Sequence, residues 1–180
     1  MEMLKDFNIS SFKKIKPSSD NSFDTTQEIK ALKKIKLNKS FVKKYDNIEA
    51  AFKKTAEQKN IKDYDKNIAA KLIKASAPVI LKLKKHFNRP RPKVLAKKLN
   101  ISMKDIEMDS MKTPSYPSGH SVQGILIGKM LGDEYPKART AFAKRGKNIS
   151  DSRRSARAHY KSDSKMGEKL GDAMYNFLKK

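Results

Sequence analysis

Cysteine is absent from the 180 residues, which excludes disulfides and thiolate metal ligands. Also missing is any uninterrupted apolar run near the roughly 20 residues that a membrane-spanning helix needs. The opening stretch, MEMLKDFNISSFKKIKPSSD, holds no apolar core of the signal-peptide kind. These absences set the expectation of a soluble, cytoplasmic chain without a transmembrane segment. The apolar/polar alternation of strands is scarce, which points away from sheet. Acidic residues are few as well: 19 Asp and Glu stand against 42 Lys and Arg, for a formal net charge of +23. A field of that sign draws anions of every kind, including nucleic acid, anionic membranes and phosphorylated metabolites, and does not choose among them. Much of the lysine can equally be read as the solvated side of helices.

What is present is helical texture. Residues 1–26 mix Ser, Lys, Asp and Asn with scattered Phe and Ile and are expected to form a poorly ordered or loosely docked basic arm. Residues 27–180 are expected to form one helical domain. Ile29, Leu32 and Ile35 suggest a short helix, and Ile48, Ala51 and Phe52 another. A longer helix is expected from near Asp63, with Ile68, Leu72, Val79, Leu83 and Phe87 on one stripe. Pro78 falls inside it, implying a kinked helix or two helices joined near Ser76. Pro90 and Pro92 end it. Met103 to Pro117 reads as a long loop. Val122, Ile125, Leu126 and Met130 then mark a helix containing Gly124 and Gly128, and Pro136 suits the first turn of the next. Met166, Leu170, Met174 and Phe177 close the chain on an amphipathic helix. The expected fold is an all-α, single-domain bundle.

Three patches carry chemistry. In Pro117-Ser118-Gly119-His120, a glycine at the mouth of a helix lets backbone amides face an anion, Ser118 adds a hydroxyl, and His120 stands where it could exchange a proton. A plain turn with a serine N-cap would look the same. In KKHFNRPRP, from Lys84 to Pro92, lysine and arginine can converge on one anion. Lys82 with Arg89 and Lys84 with Arg91 have identical spacing, and periodicity does not choose between them. In SRRSARAHYKSD, His159 and Asp163 lie one helical turn apart if the segment is helical. A carboxylate on one ring nitrogen would leave the other with its lone pair outward, as a nucleophile requires. Arg153 supplies another guanidinium, while Arg154 and Arg157 are spare cations. Each patch alone has an ordinary structural explanation. Together they supply an anion cradle, a proton donor and an oriented nucleophile.

In this combination the chain resembles the type 2 phosphatidic acid phosphatase superfamily, which also holds the bacterial class A non-specific acid phosphatases and the vanadium-dependent haloperoxidases. The superfamily pattern K-x6-R-P, P-S-G-H and S-R-x5-H-x3-D is similar to Lys84…Arg91-Pro92, Pro117-Ser118-Gly119-His120 and Ser152-Arg153…His159…Asp163, in the same order. Ser115-Tyr116, His86-Phe87 and Arg89 make the class A acid phosphatases the nearest likeness and tip the register toward Lys84 and Arg91. No motif position claims His86. The resemblance implies the all-α fold of that group and a phosphomonoesterase needing no metal or cofactor, with vanadate as an inhibitor or an alternative prosthetic group. It implies that Lys84, Arg91, Ser118, Gly119 and Arg153 bind phosphate, that His159 attacks phosphorus, that Asp163 orients His159, and that a protonated His120 serves the leaving oxygen. The expected partner is a small phosphorylated substrate, with a bell-shaped pH dependence on the acidic-to-neutral side. Two other readings are a vanadate-dependent haloperoxidase and a basic protein that binds nucleic acid or an anionic membrane and carries a vestigial site.

Overall fold

A computed structural model describes residues 3–180. Among these the fold is all-α, with no strand. The helices are α1 (Ser10–Lys13), α2 (Phe23–Lys34), α3 (Lys39–Asp46), α4 (Ile48–Gln58), α5 (Lys66–Phe87), α6 (Pro92–Lys98), α7 (Gly119–Glu134), α8 (Arg139–Ser155) and α9 (Lys161–Leu178). Among the described residues, no helix is long and apolar enough to cross a membrane.

The centre is α7. Val122, Leu126, Ile127 and Leu131 are fully buried, and α7 packs most extensively against α8 and α9. Glycines on the two neighbouring helices make that approach possible. A Cβ on Gly146 of α8 would lie 2.2 Å from Gly124 O, and one on Gly171 of α9 would lie 2.5 Å from Val122 O. With backbones this close, the N-terminal end of α7, the C-terminal end of α8 and the start of α9 are brought together. Those ends carry the motifs.

Pro78 sits within a single helix, α5, rather than at a junction between two. Beside it, Gln123 of α7 donates its side-chain amide to Ile73 O at 3.4 Å and to Ser76 Oγ at 3.3 Å. A polar link of this kind ties α5 to α7 where a proline removes a backbone donor. Helix α5 begins at Lys66 with Asp65 as its N-cap, slightly later than expected. It ends at Asn88, whose left-handed φ of 46° turns the chain toward Arg89.

Residues 3–26, the expected arm, contribute Leu4 and Phe12 to the main core, and Tyr116 Oη donates to Ile15 O at 2.8 Å. The arm's first two residues lie outside the described ones. Helix α2 forms a second apolar cluster, in which Ile29 and Leu32 pack with Leu95, Ala96 and Tyr160. The loop from Met103 to Pro117 holds one short 3₁₀ turn, Asp109–Lys112.

Candidate active site

The three patches of the sequence meet at one end of the bundle. Lys84 comes from the last turn of α5, Arg91 from the link between α5 and α6, and Ser118 caps α7. Arg153 comes from the last turn of α8, His159 from the α8–α9 link, and Asp163 from the first turn of α9. Lys84, Arg91, Arg153, His159 and Asp163 are all buried, whereas Lys82 is exposed. Burial thereby separates the two lysines, which spacing alone could not do, while both arginines, Arg89 and Arg91, are buried.

His159 lies outside helical structure, contrary to a reading that puts it and Asp163 on one helix. Helix α8 stops at Ser155, and the chain turns through Arg157, a non-glycine residue at φ 57°. That turn is pinned by its own side chain, which donates to Ile35 O at 2.7 Å, Lys33 O at 2.8 Å and Lys104 O at 3.1 Å. Arg157 is therefore an anchor of the loop rather than a spare cation. His159 Nδ1 then reaches Asp163 Oδ2 at 3.2 Å, and the same oxygen accepts Tyr160 N–H at 3.1 Å.

These contacts fix the tautomer. A carboxylate oxygen accepts, so Nδ1 carries the proton and Nε2 keeps its lone pair. Arg91 donates to that lone pair across 2.9 Å. Burial, followed by the charges of Arg91, Lys84 and Arg153, holds the His159 pKa well below the ordinary histidine value. His159 is thus a neutral imidazole with its available nitrogen turned toward cations.

Asp163 is held from a second side by Arg89, whose NH1 donates to Oδ1 at 2.7 Å. Burial pushes the Asp163 carboxyl up, against the Arg89 and Tyr160 donors that favour its ionised form. Burial also works against the Arg89 charge, but Asp163 and Glu28 outweigh it and raise the Arg89 pKa. Glu28 of α2 accepts from Arg89 NH2 at 3.0 Å and from Ser162 N at 2.7 Å. Sequence reasoning missed Glu28 because it sits in a segment without a motif.

The cations donate to the chain's own acceptors, with one exception. Lys84 Nζ donates to Pro114 O. Arg91 donates from Nε to Thr113 O at 2.8 Å, and from NH1 to Ala158 O at 3.0 Å. Its NH2 reaches Ser110 O at 3.2 Å. Burial, then repulsion from Arg91, pulls the Lys84 pKa down to about 7, and burial pulls Arg91 down to about 10. Arg153 is also lowered by burial. Its NH1 donates to Asp46 Oδ1 at 2.9 Å, while its buried NH2 has no partner among the described residues.

Ser118 Oγ accepts from Ser121 N at 3.3 Å and lies 2.8 Å from Ser121 Oγ, at the end of a hydroxyl chain that runs through Ser150 to Glu168. The first amides of α7, including that of Gly119, have no carbonyl one turn back and carry the positive end of the helix dipole.

His120 Nε2 lies 2.9 Å from Asp46 O. A carbonyl only accepts, so Nε2 is the donor and Nδ1 is the position free to exchange a proton. Burial, then the charge of Arg153, pulls His120 down to about 4. This environment favours neutral His120, whereas the sequence reading expects the protonated form. Asp46 is a second group that sequence reading missed. It touches both His120 and Arg153, yet no motif contains it. His86 is exposed and stacks edge-on against Phe87 at 4.8 Å, away from this cluster. Among the described residues, no group of three or more His, Asp or Glu side chains converges as metal ligands would.

No family model matches the chain. The chain is similar to the non-specific acid phosphatase of Salmonella typhimurium, strain LT2, with 35% identity over 88 residues, and to that of Salmonella typhi, with 34% identity over 88 residues. Each match covers 49% of this chain and 35% of the relative, so the chain spans about a third of the length of the curated relatives it matches. The likeness supports a relationship to phosphatases.

Proposed function

We propose that the protein is a phosphomonoesterase of the acid phosphatase kind, working through a phosphohistidine at His159 without a metal. The observation that carries this reading is the state of His159: Nδ1–H held by buried Asp163, with Nε2 carrying a lone pair among Lys84, Arg91 and Arg153.

In this reading a phosphate ester displaces the chain's own acceptors. Arg91 turns from Nε2 and the loop carbonyls to phosphate oxygens, joined by Lys84, the free NH2 of Arg153, the Ser118 hydroxyl and the amide of Gly119. Neutralisation of the phosphoryl charge falls to these groups. His159 Nε2 attacks phosphorus in line. The N–P bond forms as the P–O bond to the leaving group breaks, and the electron pair leaves with oxygen. His120 Nδ1 delivers a proton to that oxygen, its pKa lifted by the arriving phosphate dianion. Water then attacks the phosphohistidine, His120 takes the water's proton, and the N–P electrons return to Nε2. Asp163 supports the imidazolium while it exists.

The test is phosphate release from p-nitrophenyl phosphate at mildly acidic to neutral pH, with EDTA present. Release that persists in EDTA, is inhibited by vanadate and disappears in His159→Ala supports the proposal. Quenched reactions should contain acid-labile, base-stable phosphate on the protein. No release from wild-type protein, or full activity in His159→Ala, overturns it.

A further inference from the structure

We infer that Asp46 is a specificity residue that turns away leaving groups bearing extra negative charge, so that monoesters with an uncharged leaving group are preferred over pyrophosphates and nucleoside polyphosphates. The inference rests on the phosphatase reading above, and it concerns the side of the site away from His159.

Asp46 is the last residue of α3, where helix carbonyls lack partners, and His120 uses that carbonyl. Its carboxylate lies 2.9 Å from Arg153 NH1 and 3.7 Å from His120 Nε2. One residue thus touches both a phosphate-binding cation and the proton donor.

Exposure sets the direction of entry. The His159 side chain is 5% exposed, His120 is 17% and Asp46 is 44%. Of these three side chains Asp46 has the most contact with solvent, so the side of His120 and Asp46 is taken as the open side of the site. In-line attack places the leaving oxygen opposite His159, where His120 meets it, and the remainder of the leaving group must extend along the open side. Asp46 stands on that path.

Arg153 need not release Asp46 when phosphate arrives, because its NH2 is unpartnered and can take the phosphoryl oxygen while NH1 keeps the carboxylate. The negative charge therefore stays in place during turnover. A neutral alcohol passes it without penalty. A second phosphate meets like charge, and a carboxylate offers it no donor. In a half-solvated mouth, one pair of like charges changes a rate by about fivefold. The charge of +23 draws polyanions to the surface in general, and Asp46 opposes that pull where the leaving group sits.

The experiment compares kcat/KM for p-nitrophenyl phosphate and inorganic pyrophosphate on the same samples of wild type, Asp46→Asn, Asp46→Ser and Asp46→Glu. A ratio taken within one sample is indifferent to the folded fraction, so a merely structural role leaves it unmoved. Both neutral variants should shift the ratio toward pyrophosphate by about fivefold or more, and Asp46→Glu should keep the wild-type preference. Either neutral variant suffices if the other does not fold. An unchanged ratio in the neutral variants, or a Glu variant that behaves like them, overturns the role of Asp46 and leaves the phosphatase reading intact. Wild-type protein that hydrolyses neither substrate overturns both.

Discussion

Arg89 and Asp163, 74 residues apart in the chain, are joined by a 2.7 Å hydrogen bond from NH1 to Oδ1, with neither side chain more than 1% exposed. The guanidinium also lies 3.8 Å from the centre of the Tyr160 ring. A buried pair of this kind fixes the carboxylate that holds His159, so two consequences follow from its removal. Arg89→Ala leaves Asp163 buried without its cationic partner, which costs about 3–5 kcal/mol of stability. Denaturant unfolding should show that loss as a lower midpoint. Arg89→Lys keeps the charge without the planar fork, and is expected to retain more stability than Ala while still lowering kcat.

His120 has a role that depends on the leaving group. His120→Ala should slow hydrolysis of an alkyl phosphate by about 10²–10⁴-fold, the usual worth of a positioned acid. With p-nitrophenyl phosphate the loss should be far smaller, because nitrophenolate departs with little need of a proton. Parallel kcat measurements on the two esters check this. Equal losses on both would remove His120 from the protonation step.

The pH dependence follows from the two lowered pKa values. His120 works as its acid form and is pulled down to about 4, while Lys84 works charged and is pulled down to about 7. Both groups lose their protons early as pH rises, so kcat/KM, which reports the free enzyme, should fall above about 4 and fall further through about 7. His159 is held neutral well below the ordinary histidine value and does not oppose activity at acidic pH. A bound phosphate dianion raises both working groups, so kcat should persist to higher pH than kcat/KM. A kcat/KM that climbs steadily from neutral to alkaline pH would contradict this arrangement.

Stability has its own pH dependence with a definite sign. A histidine whose folded pKa is lowered binds protons more readily when unfolded, so its contribution is present above the unfolded value and is lost as pH falls. For His120 the window runs from about 6.5 down to about 4. The melting temperature should drop across that range. His120→Gln should flatten the drop, and a melting temperature that rises on acidification would refute the assignment.

The sequence made the helical class and the three motif patches readable because both depend on local chemistry: apolar residues at helical spacing, and reactive side chains in short strings. Choosing Lys84 over Lys82 requires knowing which way the last turn of α5 faces, which spacing leaves undecided. Asp46 and Glu28 were not legible. Each lies at a helix position whose importance comes from contacts more than 70 residues away, with His120 in one case and Ser162 in the other. The proton state of His120 was likewise hidden, because it is set by burial and by Arg153 rather than by neighbours in the chain.

Two glycines near the site offer a test that separates packing from ligand approach. A Cβ on Gly167 of α9 would stand 2.6 Å from Ser118 O and 2.8 Å from Ser121 Cβ, a clash with backbone that cannot swing aside. Gly167→Ala must push α9 from α7, costing about 1–3 kcal/mol and displacing the Ser118 cap. A Cβ on Gly119 meets nothing closer than Ile80 Cγ2 at 3.5 Å, an ordinary contact, and alanine suits a helix better than glycine. Gly119→Ala should therefore melt no lower than wild type. If the amide at the mouth of α7 approaches phosphate as proposed, the added methyl should still raise KM for p-nitrophenyl phosphate and weaken inhibition by inorganic phosphate. A Gly119→Ala protein with unchanged KM and unchanged phosphate inhibition would take that amide out of the cradle.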